Sequence, residues 1–86
     1  MEPIEEVEPG VYVLRHKDKS IEVSLKDSPI VTDNSGKYYP CNWKNFYGAF
    51  LDAYINNFEG TEAYGHEEYF FIVKMYSERY KELYKL

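Results

Sequence analysis

The sequence predicts an α+β domain: a small antiparallel β-meander of three or four strands packed against two C-terminal helices. Up to Pro40, short β-prone runs alternate with turn residues. From Trp43 onward, large apolar residues recur at three- and four-residue steps instead. A chain of 86 residues fits one domain and leaves no room for two.

Residues 1–10 read as an extended acidic arm ahead of a folded domain spanning 11–86. Pro3 and Pro9 oppose helix, and Pro9-Gly10 is a turn that opens the first strand. In the run from Val11 to Arg15, Val11 and Val13 fall on one side and Tyr12 and Leu14 on the other. After the polar Lys17-Asp18-Lys19 turn, Ile21, Val23 and Leu25 alternate with Glu22, Ser24 and Lys26. That period of two marks a half-buried antiparallel strand, so the two runs make a hairpin, which Asp27-Ser28-Pro29 ends. Ile30-Val31-Thr32 is a short third run, and Asp33-Asn34-Ser35-Gly36 has strong turn chemistry. Lys37-Tyr38-Tyr39 pairs back as a fourth strand before Pro40 stops it.

The first helix spans Trp43 to Phe58, with Trp43, Phe46, Tyr47, Phe50, Leu51, Tyr54 and Phe58 on its buried stripe. Lys44, Gly48, Asp52 and Asn56 take the opposite face, Asn42 serves as N-cap and Gly60 closes the end. The second runs from about His66 to Leu86, with Glu67 and Glu68 in its first turn and Lys81 and Lys85 near its end, as the helix dipole prefers. Tyr69, Ile72, Val73, Tyr76, Tyr80, Leu83 and Tyr84 form its stripe, and Lys74 and Glu78 pair on the flank. A buried strand over Glu68 to Met75, with Ser77 capping a short terminal helix, is the competing assignment, and the single helix is preferred.

Composition bounds the function. Ten Tyr, five Phe and one Trp make 19% of the chain, more rings than one small core can hold completely. The net charge is −5, yet Glu2, Glu5, Glu6 and Glu8 supply four of the fifteen acids, leaving eleven against ten bases from Val11 onward. That near-balance argues against a whole-surface mimic of DNA. Cys41 is alone, so no internal disulfide forms, which favours a reducing compartment. There is no apolar run long enough to span a membrane and no hydrophobic leader, so the cytoplasm is expected, the host cytoplasm if the chain is viral.

No catalytic set is legible, and neither enzyme activity nor a cofactor is expected. His16, His66 and Cys41 are too few for a metal site, and Glu62 four residues before His66 lacks the second His of a zincin. The Asp33–Gly36 segment has no closing Glu for calcium and reads as a turn. Cys41 precedes the first helix, whose dipole would lower a thiol pKa, although packing is the weightier interpretation. Gly10, Gly36, Gly48, Gly60 and Gly65 stand singly, in no phosphate-binding pattern.

What remains is a small non-catalytic protein-binding module, with surplus rings as its anchors. Its candidate contact residues are Glu5, Glu6 and Glu8 on the arm, and Phe70, Phe71, Tyr76, Tyr80 and Tyr84 on the last helix. The expected partner is a larger protein, such as a nucleic-acid-processing complex. Compact acidic proteins of this size, with this Lys, Glu, Asn and Tyr bias, are commonly virus-encoded inhibitors of host nucleases or defence complexes. That analogy suggests inhibition by surface occlusion. One alternative is a nucleic-acid binder using Lys74, Arg79, Lys81 and Lys85 among Tyr76, Tyr80 and Tyr84, which the low pI and Glu78 and Glu82 oppose. The other is a homo-oligomeric assembly subunit that buries its spare rings against a twin.

Overall fold

A computed structural model describes residues 4–61 and 66–85. Five strands form one antiparallel sheet in chain order: β1 (Ile4–Glu8), β2 (Val11–His16), β3 (Lys19–Leu25), β4 (Pro29–Asp33) and β5 (Tyr38–Tyr39). Two helices follow, α1 (Phe46–Phe58) and α2 (His66–Tyr84), giving the α+β meander that the patterning predicts. The assignment of the last segment as one helix holds over the described residues; Leu86, its expected end, lies outside them.

The extra strand comes from the segment read as an arm. Ile4 lies opposite Leu14, Glu5 opposite Val13, Glu6 opposite Tyr12 and Glu8 opposite Val11, with the register shifting at Val7. Alternation is broken there by Glu5-Glu6, which hides the strand from a period-two reading. Pro9-Gly10, with Gly10 at φ +83°, reverses the chain tightly enough to pair the two runs. A bulged, glutamate-rich edge is a poor template for pairing with another chain.

Residues directly opposite one another share a face. Tyr12, Leu14, Ile21, Val23, Leu25, Val31 and Tyr39 therefore line the inner face, and all are buried. α1 lies against this face over β3, β4 and β5. It begins one turn later than expected: the Asn42 side chain accepts hydrogen bonds from the backbone N–H of Lys44 (2.8 Å) and Asn45 (3.0 Å), while Asn45 Oδ1 accepts from the Asn42 N–H (2.5 Å). These reciprocal bonds hold residues 42–45 in a turn that sets the helix start.

The helices meet through rings. Phe46 and Phe50 are near-parallel at 5.7 Å, Tyr76 stacks on Phe46 at 4.6 Å, and Tyr69 stacks on Phe50 at 5.6 Å. Residue 46 thus faces 76 while 50 faces 69, so the helices run antiparallel. Each such pair contributes about 0.5–1.5 kcal/mol beyond its buried area. Arg79 fastens α2 to the sheet by donating to the carbonyls of Leu25 (3.0 Å) and Lys26 (2.8 Å).

Candidate functional site

The structure separates rings that complete the core from rings that do not. Phe46, Phe50, Tyr54, Phe58, Tyr12, Tyr39 and Tyr76 are buried. Along the flanks where α1 and α2 adjoin, Phe70 is 59% exposed, Tyr84 51%, Tyr47 41% and Leu51 38%. These positions share one seam by helical spacing: Tyr47 and Leu51 are one turn apart on α1, and Phe70, Ser77 and Tyr84 recur every seven residues on α2. A hydrogen bond of 3.2 Å between the Tyr47 hydroxyl and Ser77 Oγ ties the two sides together.

At one end the seam opens into a groove of about 470 Å³, lined by Trp43, Lys44, Tyr47, Tyr76, Ser77, Tyr80 and Lys81. Tyr76 is its floor. Its ring stacks on Trp43 at 6.0 Å and takes Tyr47 edge-on at 4.8 Å, and its hydroxyl donates to the Trp43 carbonyl. Burial, then the neighbouring phenols of Tyr47, Tyr80 and Tyr84, push the Tyr76 hydroxyl pKa up. Tyr80 and Tyr84 continue the aromatic series, their rings 4.5 Å apart.

The sequence-derived contact residues are thus sorted by their surroundings. Tyr80 and Tyr84 stand on the seam with Phe70. Tyr76, at 5% exposure, lines the groove from below. Phe71 lies on the other flank of α2, edge-on to Tyr12 at 5.8 Å, where it covers the sheet. Trp43 and Tyr47 carry the opposite wall of the groove, yet sequence reasoning assigned them to the buried stripe. A stripe holding both 46/50 and 47/51 is wider than one contact face, and that excess width was the available signal.

The arm glutamates do not form one free acidic surface. Glu5 and Glu8 lie on the outer sheet face, where Arg15 donates to Glu5 at 2.6 Å and Lys26 to Glu8 at 3.5 Å. Glu6 points to the helix side and accepts from the Gly10 N–H at 3.3 Å. Burial, then the Glu6 carboxylate, push the Tyr12 phenol pKa up, with Glu78 adding to the effect.

A second cleft of about 430 Å³ lies between α2 and the turns beside β2 and β3, lined by Tyr12, Lys26, Glu78, Arg79 and Glu82 among others. Its cations are already engaged: Arg79 with two carbonyls and Glu82, Lys26 with Glu8. The aromatic groove differs. Lys44 and Lys81 line it with no carboxylate within salt-bridge distance among the described residues, and no acid shares the lining.

Two other sequence candidates resolve into structural roles. Cys41 donates from Sγ to the Pro29 carbonyl at 3.3 Å. Burial pushes its thiol pKa up, in keeping with the packing interpretation, and the helix whose dipole would lower it begins only at Phe46. Asp33 is the hub of the β4–β5 turn, accepting through Oδ1 from the N–H (2.9 Å) and Oγ (2.6 Å) of Ser35 and the N–H of Lys37 (3.1 Å). Through Oδ2 it accepts from the Tyr39 hydroxyl (3.1 Å) and from Asn57 of α1 (3.4 Å). Among the described residues no three His, Cys, Asp or Glu side chains converge as metal ligands. Glu62 and the His66 side chain lie outside those residues. No helix among the described residues is long and apolar enough to cross a membrane.

Comparison with protein-family models, curated proteins and solved structures finds no match.

Proposed function

We propose that this chain is a non-catalytic protein-binding module that docks through the aromatic seam of α1 and α2. One observation carries the proposal: of the exposed large rings among the described residues, Tyr47, Phe70 and Tyr84 gather with Leu51 along one line that opens into a groove, while Tyr38 and Phe71 stand apart from it. Scattered rings are ordinary on a small protein, whereas a contiguous apolar strip marks an interaction surface. Tyr and Trp suit that task because they bury much area while freezing few rotors. The sheet supplies a rigid base, so the seam needs little ordering on binding.

The discriminating experiment compares affinity capture by the wild-type chain, a Phe70→Ser/Tyr84→Ser seam variant and an Ile30→Ser control on the outer sheet face. A protein held by wild type and control but lost from the seam variant, with unchanged far-ultraviolet circular dichroism in all three, supports docking at the seam. Identical capture by all three rejects it. Light scattering on the same samples tests the self-assembly alternative, which requires a dimer that the seam variant dissociates.

A further inference from the structure

We infer that the groove takes an acidic segment of the partner, with carboxylates flanking one aromatic or large aliphatic side chain. The inference rests on docking at the seam and adds the chemistry of the occupant. Its warrant is charge complementarity. In a chain of net charge −5, Arg15, Lys26 and Arg79 each hold a carboxylate; Lys44 and Lys81, like Lys17, Lys19, Lys37, Lys74 and Lys85, lack one among the described residues, and these two face the same space in a lining that contains no acid.

The position of the acids on α2 reinforces the asymmetry. Lys81 lines the groove, whereas Glu78 and Glu82 line the other cleft with Arg79. The aromatic walls of Trp43, Tyr47 and Tyr80 accept an apolar anchor, and a volume near 470 Å³ falls within the roughly 300–1,000 Å³ of established small-ligand sites. A peptide places a few carboxylates opposite two lysines. A nucleic-acid strand brings a phosphate with every nucleotide, so long-range repulsion from the acidic chain, which acts on any anion, opposes it more than a peptide carrying a few carboxylates.

The test pans a randomised displayed peptide library on the full chain and on a Lys44→Glu/Lys81→Glu variant. Wild type is expected to enrich acidic sequences around one aromatic or aliphatic residue, and the variant to lose them. Trp43, the only tryptophan in the chain, then reports binding by fluorescence. A selected peptide should bind at least about tenfold more tightly than its Glu→Gln counterpart, and the preference should shrink with salt. Absence of enrichment, enrichment without acidic bias, or equal enrichment by the variant overturns the inference. Preferential binding of a single-stranded oligothymidylate also overturns it and assigns the groove to nucleic acid. Lys44→Gln/Lys81→Gln serves if charge reversal impairs folding. Seam-dependent capture with no acidic bias leaves docking intact and removes only the acidic occupant; an acidic bias with no seam-dependent capture does the reverse.

Discussion

Replacing Asp33 by Asn should make stability depend on pH differently, by an amount that follows from the turn geometry. The Asp33 carboxyl pKa is lowered to about 2 from an ordinary value of 3.8, first by the hydrogen bond from the Ser35 hydroxyl, with the Lys37 and Ser35 amides and the Tyr39 hydroxyl adding to it and partial desolvation opposing. Taken whole, that shift corresponds to roughly 2.5 kcal/mol. The turn is partly solvated, and screening there reduces the expected contribution to about 1 kcal/mol. Because the folded pKa lies below the unfolded one, this stability is fully present above about pH 4 and is lost as pH falls toward 2. Asn keeps one acceptor for the turn amides but offers an NH₂ group to Tyr39 and Asn57. Urea titrations followed by Trp43 fluorescence should therefore place Asp33→Asn about 1 kcal/mol below wild type at pH 7, equivalent to ~4–8 °C in Tm for a domain of this size. The gap should close toward pH 2, where the wild-type carboxyl is protonated. Other carboxylates titrate in both proteins, so the difference isolates Asp33. A gap that stays constant with pH, or is absent at pH 7, refutes the hub role.

Three further outcomes follow from single contacts. Arg79→Met keeps the aliphatic stem but removes the bonds to the Leu25 and Lys26 carbonyls, and should cost about 1–3 kcal/mol, with amide exchange accelerating in α2 before the sheet. Lys17 sits at φ +57° in the β2–β3 turn, so Lys17→Gly should raise the thermal midpoint, by about 0.5–1 kcal/mol in stability; a decrease would show that the turn carries no such strain. Cys41, with its thiol pKa raised by burial, should react with an aromatic disulfide reagent near pH 8 at least about tenfold more slowly in the folded chain than in urea. Equal rates would contradict that placement.

The fold was legible where periodicity was clean. Ile21, Val23 and Leu25 announced β3, and the three- and four-residue recurrence from Tyr69 to Tyr84 outweighed the β-prone Tyr69-Phe70-Phe71-Ile72-Val73 run, because helix lets Ile72 and Tyr76 reach the core together. β1 was missed because adjacent glutamates and a bulge erase alternation, and pairing with β2 is a tertiary fact. The seam was only partly legible. Excess rings signal a surface, but which flank stays open depends on how the helices meet, so the sequence places Tyr47 on the buried stripe and Tyr76 both on the helix stripe and among the contact residues. Asn57 was not foreseen either: it sits near the core stripe of α1, where Ala53 O and Asp33 satisfy its amide.

The most direct test of seam docking is site-specific photo-crosslinking in the native cell, with a benzoylphenylalanine replacing Phe70, Tyr84 or the sheet-face Ile30 in turn. Docking at the seam predicts that Phe70 and Tyr84 positions trap the same protein while Ile30 traps none. Trapping from Ile30 alone, or from none of the three, would contradict it.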